Sequence, residues 1–153
     1  MFARSISVDV NPFGTSPILN KEQLWKGIEA KAQDPVIFVP GMESSRIVER
    51  TEDGFVREVV VRGETFRERI TLLPPVQIRF DRIEGRESGW ITNTLSEGPH
   101  GLLLTYTLAI GFPGVWPGSE EEQKLGGVLA ENYAQAIDLT VSTIRKLVAD
   151  GKI

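Results

Sequence analysis

The sequence predicts an α+β fold in which a seven-stranded antiparallel sheet wraps around one long C-terminal helix. Three observations predict this fold class. Apolar residues alternate with a period of two from Ser44 to Ile110, which is typical of strands. Turn-forming residues interrupt that segment roughly every eight to twelve positions, so it divides into six strands. A helical pattern of about 30 residues then begins after Ser119.

The N-terminal segment predicts a first strand and two short helices. Ala3 to Val10 alternates loosely and ends at an Asn-Pro pair, so it is the first strand. Asn20 has the pattern of a helix N-cap, with a glutamine three positions later as its capping-box partner. The apolar face of this helix consists of Leu24, Trp25, Ile28 and Ala32. Asp34-Pro35 predicts a second N-cap, and Pro40-Gly41 ends that helix after little more than one turn.

The composition excludes several classes of site. The chain has no cysteine and one histidine, which excludes thiol nucleophiles, disulfides and zinc sites of the usual kind, so we expect no metal and no cofactor. The net charge of −4 and the even distribution of charge argue against a nucleic-acid partner. Residues 1–153 are predicted to form a single domain with no membrane span and a cytoplasmic location.

The C-terminal helix is unusually rich in small residues for an element that must cover a concave sheet. It is capped by Ser119, begins with three glutamates, and contains Gly126, Gly127, Ala130, Ala134 and Ala136. Its length of about 45 Å exceeds the roughly 27 Å of an eight-residue strand, so it must cross the whole sheet. The small side chains indicate either a cavity beneath the helix or close packing, with a possible kink at the paired glycines.

This element order resembles the helix-grip fold of the START-like (SRPBCC) superfamily, which includes the major birch-pollen allergen and polyketide cyclases. Within it, the chain is similar to the AtaL-like family, whose members largely lack an assigned reaction. The resemblance covers nearly the whole chain. It depends on Val10-Asn11-Pro12, the run from Leu24-Trp25 to Phe38-Val39-Pro40, residues 54–58, Leu72-x-Pro74-Pro75, Ile91-x-Asn93 and Pro117-Gly118-Ser119. It implies a cavity for hydrophobic small molecules between the sheet and the long helix, but no particular reaction.

The turns predict which side chains face that interior. A two-residue turn at Gly63-Glu64 pairs Val61 with Phe66 and leaves Arg57 opposite Ile70. A three-residue connection at 73–75 pairs Leu72 with Val76, sets Glu68 opposite Phe80, and keeps Val76, Ile78 and Phe80 inside. The same face continues through residues 91, 93 and 95 and the even-numbered positions from 102 to 110.

Four polar residues interrupt this apolar face: Arg57, Glu68, Asn93 and Tyr106. Buried charges are costly unless they are paired, so these positions are informative. In one interpretation, Arg57 and Glu68 form a structural ion pair, or the register is off by one residue. In the other, they anchor a ligand carbonyl or carboxylate and the remaining residues complete a binding site. The candidate ligand-binding residues are Arg57, Glu68, Ile70, Ile78, Phe80, Asn93, Leu104, Tyr106 and Trp116.

Two further features have alternative interpretations. Phe112 and Trp116 precede the long helix in a segment rich in Gly and Pro, and they form either a lid over the cavity or a small satellite core. His100 lies between Pro99 and Gly101 and is interpreted as an exposed turn residue, since no catalytic partner for it can be named.

Two functions remain open at this stage. The first is binding of an apolar polyketide, lipid or aromatic metabolite by a monomer or homodimer, without turnover. The second is an enzyme of the cyclase, aromatase or dehydratase type, in which Glu68 acts as acid or base while Arg57 and Tyr106 polarise a carbonyl. An interaction module is disfavoured because the outer face of the sheet carries charged residues rather than an apolar patch.

Overall fold

A computed structural model describes residues 1–153, the whole chain. One antiparallel sheet has the order β1-β7-β6-β5-β4-β3-β2, and two helices accompany it. The strands are β1 (Phe2–Asp9), β2 (Met42–Thr51), β3 (Gly54–Val61), β4 (Glu64–Leu73), β5 (Gln77–Glu84), β6 (Ser88–Gly98) and β7 (Gly101–Gly111). The helices are α1 (Lys21–Gln33) and α2 (Glu120–Ala149). The predicted seven-stranded sheet and long C-terminal helix are confirmed.

Both helices begin at the predicted caps. The Asn20 side chain accepts a hydrogen bond from the Gln23 backbone N–H at 2.8 Å, and the Gln23 side chain accepts from the Asn20 N–H at 3.0 Å. This reciprocal capping box fixes the first turn of α1. At α2, Ser119 accepts from the Glu122 N–H, while the Glu122 carboxylate accepts from the Gly118 N–H at 2.7 Å. That backbone bond lowers the pKa of Glu122.

The second short helix predicted after Asp34-Pro35 is a single hydrogen-bonded turn. The Pro35 carbonyl accepts from the N–H groups of Phe38 and Val39, at 2.9 and 3.0 Å. The Asp34 side chain accepts from the Val36 N–H at 3.2 Å, so it caps the turn. The turn cannot extend because Pro40 follows and lacks a backbone donor.

The register between β3 and β4 differs from the prediction by two residues. The turn is Arg62-Gly63 rather than Gly63-Glu64, and Val59 pairs with Phe66. Both turn residues have positive φ, 49° and 80°, which is the pattern of a type I′ turn. A shift of two residues keeps every side chain on its predicted face. It also sets Arg57 directly opposite Glu68, where the prediction had it opposite Ile70.

The prediction for Val76 is wrong. Leu72 pairs with Ile78, so the three-residue connection is 74–76 and Val76 lies in the turn, half exposed. The predicted turn begins one residue too early, which shifts the register by two residues. Ile78 and Phe80 remain on the inner face and are buried. The same register shift sets Glu68 opposite Arg82 rather than Phe80.

Gly126 explains how closely α2 approaches the sheet. A Cβ at this position would lie 2.1 Å from the Phe2 ring, so only glycine permits the contact. At Gly127 the same Cβ would meet nothing within 4 Å. Close packing therefore accounts for the first glycine of the pair but not for the second.

Neither α1 nor α2 combines the length and the apolar composition that crossing a membrane requires.

Candidate functional site

A cavity of about 700 Å³ lies between the inner face of the sheet and the N-terminal half of α2. Its walls come from the end of α1, from β3 to β6, from the segment 112–115 and from α2. Its apolar lining includes Phe66, Phe80 and Ile91 on the sheet side and Val128 and Leu129 on the helix side. A volume of this size lies within the range of small-molecule sites.

Arg57 and Glu68 form a buried ion pair at the cavity wall. The Arg57 Nε and Nη2 atoms both donate to Glu68 Oε2, at 3.0 and 2.8 Å. Arg57 Nη1 donates to the backbone carbonyls of Lys31 and Ala32, at 3.3 and 2.7 Å. These carbonyls belong to the last turn of α1 and have no partner within the helix. Arg57 therefore joins the sheet to the C-terminal end of α1.

Glu68 retains one free oxygen. All of its hydrogen bonds end on Oε2, whereas Oε1 lies 3.8 Å from Arg82 Nε, beyond hydrogen-bond distance. Arg82 Nε is buried without any hydrogen-bond partner. The other nitrogens of Arg82 contact the Glu87 carboxylate at 2.8 Å and the Tyr133 hydroxyl at 3.4 Å. A buried donor without a partner thus lies beside a carboxylate oxygen that accepts no hydrogen bond, and such a donor is uncommon in folded proteins.

Lys31 reaches the cavity from the last turn of α1. Its Nζ donates to Asn93 Oδ1 at 2.9 Å and to the Tyr106 hydroxyl at 2.7 Å. The Tyr106 hydroxyl donates to Thr140 Oγ1 at 3.0 Å, which donates to the Ala136 carbonyl at 2.7 Å. The Lys31 Nζ also lies 4.4 Å from the centre of the Tyr106 ring. This chain of hydrogen bonds links α1, the sheet and α2 across the interior.

Burial shifts the pKa values of the titratable groups in this hydrogen-bonded network. Desolvation and the nearby Arg57 charge lower the pKa of Lys31 to about 7, although Glu68 opposes the shift. Burial raises the pKa of Tyr106 above its usual range, so that its hydroxyl remains protonated. Burial also raises the pKa of Tyr133.

The predicted ligand-binding residues fall into three groups. Arg57, Glu68, Phe80 and Asn93 line the cavity, and Tyr106 lies directly behind it through its bond to Lys31. Ile70, Ile78 and Leu104 are fully buried in the core of the sheet and do not line the cavity. Trp116 is 81% exposed and contributes neither a lid nor a satellite core.

Two further predictions concern the Gly- and Pro-rich segment before α2 and the turn between β6 and β7. Phe112 and its neighbours up to Val115 line the cavity, whereas Trp116 does not and is largely exposed. His100 is an exposed turn residue between β6 and β7, as predicted.

The sequence analysis missed Lys31, Arg82 and Tyr133. Lys31 follows Leu24 and Ile28 at the spacing i, i+4, i+7, so its position on the buried face of α1 was readable. Arg82 continues the inward row of Ile78 and Phe80 by one more alternation. Tyr133 lies three residues after Ala130 and four before Ile137, so its position on the buried face of α2 was readable in the same way.

The remaining side chains offer no metal site. No group of three or more His, Cys, Asp and Glu residues is placed to hold a metal ion. The titratable side chains that line the cavity are the Lys31 amine, four guanidinium groups, four carboxylates and the Tyr133 hydroxyl.

Solved structures with the same fold include an aromatase/cyclase and a di-domain ARO/CYC protein. The Zhui aromatase/cyclase of Streptomyces sp. R1128 aligns with a TM-score of 0.69 at 16% identity, covering 99% of this chain and 98% of that one. The di-domain ARO/CYC StfQ of the steffimycin pathway aligns with a TM-score of 0.71 at 14% identity, covering 96% of this chain and 52% of its own. A START superfamily protein from Mycobacterium smegmatis gives 0.60 at 19% identity, over 94% and 97%. These likenesses confirm the helix-grip fold.

The sequence relationship is more specific than the fold. A protein of Aspergillus terreus described as acetylaranotin biosynthesis cluster protein L is 23% identical over 154 residues, which cover 98% of this chain and 92% of the relative. The family of the same description, AtaL, matches residues 4–151. Because that match spans nearly the whole chain, the protein belongs to the AtaL family.

Proposed function

We propose that this protein binds a hydrophobic small molecule that carries a carbonyl or carboxylate group, in the cavity between the sheet and α2. The observation that carries the proposal is the wall at Glu68. There a free carboxylate oxygen and an unpartnered guanidinium N–H of Arg82 lie next to apolar walls. A polar ligand group that accepts from Arg82 Nε would satisfy the buried donor, while the aromatic and aliphatic side chains enclose the rest.

The apolar and charged side chains that line the cavity indicate the class of ligand. The walls provide Phe66, Phe80 and Leu129 for apolar contact and the Arg82 guanidinium group for an acceptor. Polyketide-like and aromatic metabolites combine apolar carbon with carbonyl oxygens, so their chemistry matches this lining. The aromatase/cyclases among the structural neighbours support that class.

The test begins with native mass spectrometry of the purified protein, followed by extraction of whatever it retains. We expect a co-purified apolar compound with at least one carbonyl or carboxylate oxygen. The compound is then titrated against the Glu68→Gln variant, with Glu58→Gln as the matched control. Glu58 also pairs with two arginines, Arg46 and Arg67, but on the outer face of the sheet.

We expect Glu68→Gln to change the affinity for the extracted compound and Glu58→Gln to leave it unchanged. Equal affinities in both variants would show that Glu68 does not contribute to ligand binding. Recovery of no ligand, together with failure to bind an aromatic ketone panel, would remove the binding proposal itself.

An enzyme of the cyclase, aromatase or dehydratase type is the second candidate. Its support is the free Oε1 of Glu68, which is available to take or give a proton inside the cavity. The proposed partners Arg57 and Tyr106 are less available, because Arg57 is bonded to Glu68 and α1 while the Tyr106 hydroxyl already donates to Thr140. If the extracted compound changes mass on incubation, and Glu68→Gln stops that change without loss of affinity, the enzyme is favoured.

A further inference from the structure

The hydrogen-bond count at Lys31 corresponds to a neutral amine. The Ala136 carbonyl can only accept, so the Thr140 hydroxyl donates to it and accepts from Tyr106. The single proton of Tyr106 is thereby used, and its oxygen accepts from Lys31. With Asn93 Oδ1 as the second acceptor, Nζ has two partners, and both are neutral. A neutral amine has two N–H groups and one lone pair, so both donors are satisfied and the lone pair remains free.

The charges around Lys31 favour the same state. No carboxylate lies within ion-pair distance of its Nζ, because Glu68 is bonded to Arg57 and approaches Arg82. The titratable groups that face this region are Arg57 from β3, Glu68 from β4, Arg82 from β5, Tyr106 from β7 and Tyr133 from α2. A buried amine beside a guanidinium group is a recognised environment for a nucleophilic lysine. Its pKa of about 7 leaves much of it neutral near neutral pH.

We propose that Lys31 is a covalent anchor, whose amine condenses with a ketone or aldehyde carbonyl of a ligand held in the cavity. This inference rests on the proposed binding function and names the reactive group of the ligand. Lys31 lines the cavity, and its Nζ is held by hydrogen bonds to Asn93 and Tyr106, with the ring centres of Phe80 and Tyr106 at 5.7 and 4.4 Å. The nucleophile is thus held in place with its lone pair unoccupied.

The condensation balances without any external reagent. The nitrogen lone pair forms a bond to the carbonyl carbon, and the carbonyl π bond breaks toward oxygen. One N–H proton moves to that oxygen and gives a carbinolamine. The second N–H proton leaves with the hydroxyl group as one water molecule, and a neutral imine remains. With a β-dicarbonyl ligand, the imine tautomerises to a conjugated enaminone, which persists without a reducing agent.

Benzoylacetone is a suitable probe because it is apolar, aromatic and a β-dicarbonyl. The full-length protein is incubated with it, and the intact mass is measured. We expect one adduct per chain with the mass of the probe less one water, and peptide mapping should locate it at Lys31. Lys31→Met should abolish the adduct. Lys26→Met, which removes an exposed lysine of the same helix, should leave it unchanged.

Binding is measured in parallel by calorimetry, so that the two proposals fail separately. If benzoylacetone binds in the cavity but forms no adduct at Lys31, the covalent anchor is overturned and the binding function stands. An adduct spread over the exposed lysines also overturns it. Because the adduct is mapped on the unmodified sequence, the result does not depend on whether Lys31→Met folds. The binding function itself is judged by the separate extraction experiment.

Discussion

Arg57 shows how one residue can be both structural and adjacent to the site. A buried ion pair stabilises a protein little by itself, because desolvation offsets the attraction. Here the guanidinium group also bonds two carbonyls at the end of α1, which otherwise have no donor. The two interpretations drawn from the sequence therefore do not exclude each other. The contacts hold α1 against the sheet, and in doing so they position Lys31 at the cavity.

Lys31 should make the stability of the protein depend on pH. Its folded pKa of about 7 lies below the ordinary value of 10.5. Between these values the unfolded chain binds one more proton than the folded chain, so the free energy of unfolding rises with pH. The expected slope is about 1.4 kcal/mol per pH unit. Below the folded pKa, the full cost of burying the charge is present and the slope from Lys31 vanishes.

The measurement is urea unfolding of the wild type and Lys31→Met at several pH values between about 7 and about 9. The difference in unfolding free energy between the two proteins isolates the contribution of Lys31. We expect the unfolding free energy of the wild type to rise relative to that of Lys31→Met, by about 2–3 kcal/mol over two pH units. Lys26→Met serves as the exposed control and should follow the wild type. Parallel curves for the wild type and Lys31→Met would mean that Lys31 is not desolvated as described.

At the scale of single elements, the glycine pair of α2 allows a matched test of packing. Gly126→Ala should lower the free energy of unfolding, because its new Cβ overlaps the Phe2 ring and β1 would have to move. We expect a loss of about 1–3 kcal/mol. Gly127→Ala meets no atom within 4 Å and should raise stability by about 0.5–1 kcal/mol through helix propensity. The prediction is checked by denaturant unfolding, and two changes of equal sign would contradict it.

The elements were readable from the sequence to the extent that local rules determine them. The capping box at Asn20 and the cap at Ser119 depend on neighbouring residues, and both were predicted. The face of each inner strand was also predicted, because a register error of two residues preserves it. The register itself was not, since the two-residue turn expected at Gly63-Glu64 is a type I′ turn at Arg62-Gly63, where both residues have positive φ.

The polar network was harder to predict because its members come from different elements. Arg57 and Glu68 were found as polar exceptions on apolar strands. Lys31 was overlooked because a lysine on a helix is ordinarily solvated, and its burial depends on the sheet above it. Trp116 was misjudged for the opposite reason. A large aromatic residue is expected to be covered, yet its segment places it in solvent.

For the whole molecule, the position of the cavity follows from which part of the sheet's inner face each of the two helices covers. Gly27 of α1 allows Ile144 of α2 to approach closely, since a Cβ there would lie 2.4 Å from the Ile144 side chain. The C-terminal half of α2 therefore packs tightly against α1, and its N-terminal half spans the open end of the sheet. There the small side chain of Ala136 leaves space above Arg57 and Phe80.

Filling that space should separate ligand binding from folding. Ala136→Leu adds apolar volume to a residue that lines the cavity on α2, and leucine is a good helix former. Ala134→Leu, which is two residues away and does not line the cavity, is the matched control. A ligand at a hundred times its Kd stabilises the folded protein by about 2.7 kcal/mol, so the wild type and the control should show a rise in Tm with the extracted compound. We expect Ala136→Leu to fold with a similar Tm in the absence of ligand and to lose most of that rise. A full rise in Ala136→Leu would place the ligand elsewhere on the molecule, because the added side chain occupies the volume that the ligand needs.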